Sequence, residues 1–188
     1  NAQHGKLGMR GSTTSELVFE DALVPKTNRL GEEGHGFKYA MEILNSSRIV
    51  IGAQCVGIAQ AAFEAALLHV QQRKSFGKPI SEHQGIQFSL ADMATRIHAA
   101  RLMTLHAATL KDEGKPFMKE ASMAKLYASE MAVNVTTSAL HLYGGYGYFK
   151  DAPVERYLRD AQVTTIYEGT SEVQRLIIAR QILQEHMI

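Results

Sequence analysis

The chain has 188 residues, with 20 basic and 19 acidic side chains, a formal net charge of +1 and 45% hydrophobic residues. This length and composition are typical of one soluble globular domain with a small attachment. A nucleic-acid partner would require clustered Lys and Arg, and no long basic run is present. The one long, weakly polar stretch, residues 49–70, is interrupted by Gln54, Gln60 and Glu64, so no membrane span is expected.

The first residue and the single cysteine set two further expectations. The chain begins at Asn1 rather than Met, and residues 1–10 are polar and lack the apolar segment of a signal peptide. We therefore expect a piece of a longer protein. Cys55 cannot form an internal disulfide, and its small-residue surroundings favour a buried structural thiol. A lone thiol favours a reducing compartment.

Residues 1–36 differ in pattern from the rest of the chain. Residues 16–20 and 22–25 alternate loosely between apolar and polar side chains, which predicts two short strands. Two strands cannot bury a face alone, so they must pack on the helices that follow or belong to a sheet built from preceding residues. Gly31, Gly34 and Gly36 then predict a loop.

From Phe37 onward the apolar residues recur with a helical period. The first helix carries Gly52, Val56, Ala59, Phe63, Ala66 and Val70 on one face. The second follows an expected N-cap at Ser81 and carries Ile86, Leu90, Met93 and Ile97. The third carries Met123, Leu126, Met131 and Val135 and ends near Leu142, a short helical segment follows Pro153, and the last helix runs from about Ser171 to Gln184. Long helices with short connections predict an antiparallel bundle.

Most simple catalytic signatures are missing from the sequence. The eight histidines have no metal-ligand spacing on a helix, no paired-Cys motif accompanies them, and no metal site is expected. No serine lies in a nucleophile elbow. The glycine-rich run at 144–147 follows a helix and lacks dinucleotide-binding spacing, so it is either a helix terminator or a source of free backbone amides for a phosphate.

Two local patterns remain as candidates for chemistry. Glu168 stands beside Gly169, just before the last helix, and is either a solvated loop residue or a general base at the mouth of the bundle. Arg73, Lys74 and Lys78 flank Phe76 in one loop, which is either a solvated basic loop or a cation and an aromatic plane presented to an anionic, aromatic ligand. Periodicity alone does not decide between these alternatives.

A series of motifs along nearly the whole chain resembles the acyl-CoA dehydrogenase family. They are LGMRGS at 7–12, ELVFED at 16–21, VP at 24–25, RKSFG at 73–77, QGIQF at 84–88, LADMA at 90–94, GGYGY at 144–148, PVER at 153–156, RDA at 159–161, IYEGTSE at 166–172 and QR at 174–175. Their order and spacing match the family.

The resemblance implies a fold and an activity. Family chains are about twice this length, with an N-terminal helical domain, a middle β-domain and a C-terminal four-helix bundle. Residues 1–36 would then be the end of the middle β-domain, and residues 37–188 the all-α, antiparallel four-helix bundle. The implied reaction is FAD-dependent dehydrogenation of a short-chain acyl-CoA to trans-2-enoyl-CoA. The implied partners are the acyl-CoA substrate, electron-transfer flavoprotein and a second copy of the chain in a dimer or tetramer. The implied location is the bacterial cytoplasm or, in a eukaryote, the mitochondrial matrix.

The resemblance also implies roles for individual residues. Glu168 matches the catalytic base. Gly169, Asn45 and Arg48 match substrate-binding positions. The FAD-binding positions are Thr170, Ser171 and Glu172, together with a second set that reaches the FAD of a neighbouring subunit: Arg73, Phe76, Gln84, His141, Leu142, Tyr143, Gly144 and Gly145.

Two positions depart from the family pattern. His141 stands where the family usually has Gln, and Asn45 where it usually has Asp, so the side-chain roles at these positions do not carry over directly. In isovaleryl-type members the base lies instead at the position of Ser47, which is not a carboxylate. Relatives that oxidise nitroalkanes tend to use Asp as the base, and Glu168 argues against them. A non-catalytic helical bundle kept for interaction remains the alternative from another functional class.

Overall fold

The computed structural model describes residues 5–186, and five helices account for most of them. The helices are α1 (Gly36–Gln72), α2 (Gln84–Asp112), α3 (Met118–Tyr143), α4 (Val154–Gln162) and α5 (Ser171–Glu185). Short 3-10 turns lie at Lys26–Asn28, Ile80–Glu82, Gly144–Tyr148 and Val163–Thr165. The predicted all-α bundle is confirmed, and helix α3 contacts each of the other four helices.

The core is built largely from small side chains. The alanines at 59, 62 and 66 on α1 and at 121, 124, 128, 132 and 139 on α3 are fully buried. Small residues allow two helix backbones to approach closely, and the packed interior tolerates little added volume. Gly52 shows the same effect between α1 and α2, because a Cβ there would lie 2.9 Å from the Thr104 Oγ1. The predicted stripe on α1 faces this core, with Phe63 partly buried at its edge.

The predicted strands at 16–20 and 22–25 do not form in the described chain. This segment lies outside the bundle core, and its apolar side chains are exposed, with Leu23 at 99% and Phe19 at 79% of full exposure. A strand requires a hydrogen-bonded neighbour, and the described part of this chain offers none to the segment. The prediction that Ser81 caps α2 is also wrong, because Ser81 lies in a 3-10 turn and α2 begins after His83.

The two strands that do form were not expected. β1 (Lys74–Ser75) pairs antiparallel with β2 (Lys78–Pro79) in a hairpin between α1 and α2. Phe76 and Gly77 form its tip with φ values of 50° and 82°. Positive φ at both central residues is the condition for a type I′ turn, which suits a two-residue hairpin. The Phe76 side chain consequently projects into solvent.

Helix α1 is long and apolar enough, by length and composition, to cross a membrane, with a mean hydropathy of 1.5 over its most apolar window. The helix packs against α2, α3 and α4, and its inward face supplies part of the hydrophobic core. The central helix of a helical bundle is expected to have this character.

Candidate active site

The loop before α5 holds Glu168 in an uncommon backbone conformation. Glu168 has φ 56° and Gly169 has φ 90°, so two consecutive residues are left-handed. The left-handed conformation costs a non-glycine residue roughly 1–2 kcal/mol, so the surroundings must hold Glu168 in place. At φ 90° a residue with a Cβ is strained, and a Cβ at position 169 would also lie 2.7 Å from the Gln174 Nε2, so the turn favours glycine there. Strain of this kind is common at functional sites.

The Glu168 carboxylate contacts helix α1. Its Oε2 accepts a hydrogen bond from the Ser47 Oγ at 2.5 Å, across a separation of 121 residues in the sequence. The Ser47 hydroxyl also lies 3.0 Å from the Leu44 carbonyl oxygen, but a hydroxyl carries one hydrogen and can donate fully to only one acceptor. A short bond to a carboxylate is the stronger choice, so Ser47 orients the Glu168 side chain.

Arg48 and Asn45 lie on the same helix near this carboxylate. The Arg48 side chain is 2% exposed, and its Nη1 donates to the Asn45 Oδ1 at 2.7 Å. Burial lowers the pKa of Arg48, and the negative charge of Glu168 acts in the opposite direction. The Arg48 Nε has no hydrogen-bond partner within residues 5–186. A buried guanidinium with a free donor is suited to binding an acceptor from outside the chain.

Two further residues, which sequence analysis did not single out, hold the backbone of the turn. The Lys125 Nζ on α3 donates to the Gly169 carbonyl oxygen at 2.8 Å. The Gln174 Nε2 on α5 lies 3.1 Å from the Glu168 carbonyl oxygen and 3.0 Å from that of Gly169. Lys125 and Gln174 are both fully buried. In the sequence, Lys125 lies midway between Ala121 and Ser129, four residues from each, and so on the buried face of α3. A lysine on that face was the signal from which its burial could have been predicted.

The beginning of α5 adds a polar end to the site. Thr170 is the N-cap, and its Oγ1 accepts a hydrogen bond from the Val173 amide at 3.4 Å. The pKa of the Glu172 carboxyl is lowered by a hydrogen bond from the Glu172 backbone amide and by a second one from the Thr170 hydroxyl. The Ser171 Oγ is buried and has no partner among the described residues. Thr170, Ser171 and Glu172 therefore directly follow the Glu168 turn, at the helix end whose dipole favours negative charge.

A second group of predicted residues lines a separate cavity of about 720 Å³ at the other end of α3. It contains Arg73, Phe76, His141, Leu142, Tyr143, Gly144 and Gly145. Gln84 does not line this cavity, although the next residue, Gly85, does. The side chains that line it present a cation and an exposed aromatic ring, since Phe76 is 94% exposed. These groups suit an anionic ligand that also carries an aromatic ring.

Stacked rings support the wall of this cavity. The His69 imidazole stacks on the Tyr143 ring with centroids 4.1 Å apart, and the Arg73 guanidinium lies 5.4 Å from the centroid of Tyr146. Burial, and then the charge of Arg73, lower the pKa of His69. A neutral His69 leaves Arg73 as the cation that a ligand meets.

Of the two interpretations of the glycine run, the helix terminator is the one that Gly144 fits. Its backbone amide donates to the His141 carbonyl oxygen, and residues Gly144–Tyr148 form a 3-10 turn. The turn closes the end of α3, because helix ends complete their hydrogen bonds through tighter turns where they can. Gly144 and Gly145 still line the cavity.

Comparisons with known proteins agree with this architecture. Residues 34–183 match the family model described as the acyl-CoA dehydrogenase C-terminal domain. The chain is 57% identical over 178 residues to an acyl-CoA dehydrogenase of Bacillus subtilis, covering 95% of this chain and 47% of the relative. It is 54% identical over 179 residues to the acryloyl-CoA reductase (NADH) of Anaerotignum propionicum, covering 95% of this chain and 45% of the relative.

A solved structure extends the comparison to three dimensions. Butyryl-CoA dehydrogenase from Megasphaera elsdenii superimposes with a TM-score of 0.95 at 49% identity, covering 97% of this chain and 48% of that chain. The chain thus spans about half the length of the relatives it matches. The family-model match, the sequence identities and the superposition together show that the chain belongs to the acyl-CoA dehydrogenase family.

Proposed function

We propose that this chain is the C-terminal half of an FAD-dependent enzyme that converts a short-chain acyl-CoA to trans-2-enoyl-CoA and is inactive without its N-terminal half. The observation that carries the proposal is the Glu168 carboxylate, fixed on a left-handed turn at one end of the bundle and hydrogen-bonded to Ser47. A carboxylate held in one position is what a general base requires. The family relationship supports the substrate class.

The domain boundaries are part of the same proposal. Residues 37–188 are the helical domain, and residues 1–36 are the end of a middle β-domain whose other strands precede Asn1 in the complete enzyme. Exposed apolar side chains at Leu17, Phe19, Leu23 and Leu30 support this assignment, because a contiguous apolar surface on a soluble protein usually marks a place where other protein packs.

The residues of this chain fit FAD at two places. The cavity at Arg73 offers a cation and the Phe76 ring, and the start of α5 offers the unpartnered Ser171 hydroxyl. Thr170, Ser171 and Glu172 do not line the Arg73 cavity. Such separation is expected if each FAD is shared between two chains, so we propose a dimer or a dimer of dimers. Electron-transfer flavoprotein is the proposed electron acceptor.

The proposed chemistry places each side chain in a role. Glu168 removes the proton from the α-carbon of the acyl thioester, while Ser47 keeps its carboxylate oriented. The Glu168 backbone amide donates to the thioester carbonyl and so acidifies the α C–H bond. Arg48, Asn45 and Gly169 bind the acyl-CoA. When bound, FAD supplies the acceptor for the hydride that leaves the β-carbon.

One relative favours a second candidate function with the same residues. The Anaerotignum relative is named as an NADH-dependent acryloyl-CoA reductase, and the chain is 54% identical to it. A reaction and its reverse share one transition state, so Glu168 would then deliver the proton to the α-carbon. NADH oxidation that depends on added acryloyl-CoA would identify this direction.

The proposed reaction predicts a dependence on acyl chain length. Anaerobic addition of acyl-CoA substrates of increasing length to the full-length flavoenzyme should bleach the flavin fastest with butyryl-CoA, and trans-2-butenoyl-CoA should be the product. Stopped-flow absorbance gives the rates, and mass spectrometry identifies the product. Absence of bound FAD would favour the non-catalytic bundle, and bleaching by a nitroalkane but not by an acyl-CoA would favour the nitroalkane oxidases.

A second expected result concerns Arg73. Replacing it with Met should weaken FAD binding about 10- to 100-fold, because a charge-assisted hydrogen bond contributes about 1.5–3 kcal/mol. Titration of the deflavinated protein with FAD measures the Kd. The matched control is Arg101→Met, since Arg101 is exposed on α2 and bonds only to Gln60 among the described residues. Equal Kd values for Arg73→Met and Arg101→Met would exclude Arg73 from the FAD site.

A further inference from the structure

Lys125 is a buried ionisable residue to which the proposed mechanism gives no role. It lies in the middle of α3 with 0% exposure, among small side chains that include Ala121, Ala128 and Ser129. Lysines are almost never fully buried without a partner. Within the described residues its ammonium donates one hydrogen bond, to the Gly169 carbonyl oxygen, although an ammonium has three donors.

The bond from Lys125 acts on the part of the chain that carries the proposed base. Gly169 follows Glu168, and both residues have a left-handed backbone. Gln174 on α5 donates to the Gly169 carbonyl oxygen as well, and also to that of Glu168. The turn is thus fixed from α3 and α5 through its backbone, while Ser47 on α1 fixes the Glu168 carboxylate.

The charges around Lys125 include that of the Glu168 carboxylate. Burial lowers the pKa of Lys125, and the charge of Arg48 acts in the same direction, whereas Cys55, Glu168 and Glu130 oppose it. A buried cation is destabilising unless nearby groups compensate for lost hydration, and a well-packed apolar residue is often at least as stable in its place. One hydrogen bond to a carbonyl stabilises the ammonium by less than its removal from water costs. This imbalance indicates that Lys125 has a role beyond stability.

We propose that Lys125 is a positioning residue, which holds the Glu168–Gly169 turn so that the carboxylate meets the α-carbon of the substrate. The inference rests on the proposed role of Glu168. A displacement of about 1 Å in a reacting group can lower a rate about 100-fold without loss of binding. Loss of the Lys125 contact should therefore affect the chemical step more than the binding of FAD or acyl-CoA.

The test compares four variants of the full-length flavoenzyme by anaerobic stopped-flow reduction with butyryl-CoA, with rates expressed per bound flavin. Lys125→Met keeps the length of the side chain and removes its donors. It should lower the limiting rate about 10- to 100-fold, with the substrate concentration for half-maximal rate changed less than about threefold. Its melting temperature should fall by no more than about 3 °C. Gln174→Met removes the hydrogen bonds from α5 to the Glu168 and Gly169 carbonyl oxygens, and it should also lower the limiting rate. The proposal therefore remains testable if Lys125→Met does not fold.

Two controls separate the possible failures. Lys119→Met removes a lysine of the same helix that pairs with Glu185, and its rate should equal that of the parent enzyme. Glu168→Gln must nearly abolish reduction in the same assay, or the proposed function itself fails. If Glu168→Gln is inactive but Lys125→Met and Gln174→Met reduce within threefold of the parent rate, the positioning role is wrong. The positioning role would also be wrong if Lys125→Met lowered the melting temperature and the FAD content but left the rate per bound flavin unchanged. Lys125 would then be a structural residue.

Discussion

Glu168→Gln should nearly abolish reduction of the flavin by butyryl-CoA in the full-length enzyme. The substitution keeps the size and hydrogen-bonding reach of the side chain, including its contact with Ser47, but removes its basicity. A positioned general base contributes about 10²- to 10⁴-fold, and the other groups around the carboxylate, Ser47, Arg48 and Lys125, are not carboxylates. We therefore expect a loss of about 10⁴-fold in the limiting rate.

The measurement is anaerobic stopped-flow absorbance at saturating butyryl-CoA. FAD content and the spectral change on binding a substrate analogue should be preserved, because the proposed FAD and acyl-CoA contacts come from other residues and from the Glu168 backbone amide, which the substitution leaves in place. The control is Glu64→Gln, which removes an exposed carboxylate of α1 that accepts a hydrogen bond from Gln60. A rate for Glu168→Gln within tenfold of the parent enzyme would exclude Glu168 as the base.

A second large effect is expected when the base is moved to the neighbouring helix. In a Glu168→Gly background, which removes the Glu168 side chain and suits the left-handed backbone there, Ser47→Glu should raise the residual rate at least about tenfold. The Ser47 Oγ lies 2.5 Å from the Glu168 Oε2, so a carboxylate on residue 47 can reach the region that the Glu168 carboxylate occupies. Ser47 is only partly buried, which leaves room for a longer side chain. The gain should stay below the parent rate, because carboxylate geometry controls proton transfer.

The matched control for this double variant is Ser46→Glu with Glu168→Gly. Successive residues of an α-helix point about 100° apart, so a carboxylate at 46 cannot reach the same position. Stopped-flow reduction should show recovery for position 47 and none for position 46. Equal rates for the two double variants would mean that the short contact between Ser47 and Glu168 does not mark the place where the proton is removed.

The sequence alone determined the helical architecture. The apolar period of α1 predicted a buried face, and residues such as Ala59, Ala66 and Val70 are fully buried there. Helical periodicity is local, so a single sequence displays it directly. The glycine at 144 correctly marked the end of α3. The series of motifs between residues 7 and 175 indicated the family, which the comparisons then showed.

Features that depend on distant neighbours were decided only by the tertiary structure. Residues 16–25 have a strand-like pattern but form no strand in the described chain, because a strand exists only through its hydrogen-bonded neighbours. The hairpin at Phe76 was missed because its strands have two residues each, too few for alternation to be visible.

In the candidate site, too, the sequence indicated the local features, and only the tertiary structure showed the contacts between distant residues. Glycine beside Glu168 indicated a close turn, but the sequence does not show that Ser47, 121 residues away, contacts the carboxylate. Lys125 and Gln174 look like ordinary helix residues until packing buries them and brings their donors to the carbonyl groups of Glu168 and Gly169. Periodicity places a side chain on a helix face, whereas the partner it meets depends on how three helices pack together, and only the tertiary structure contains that information.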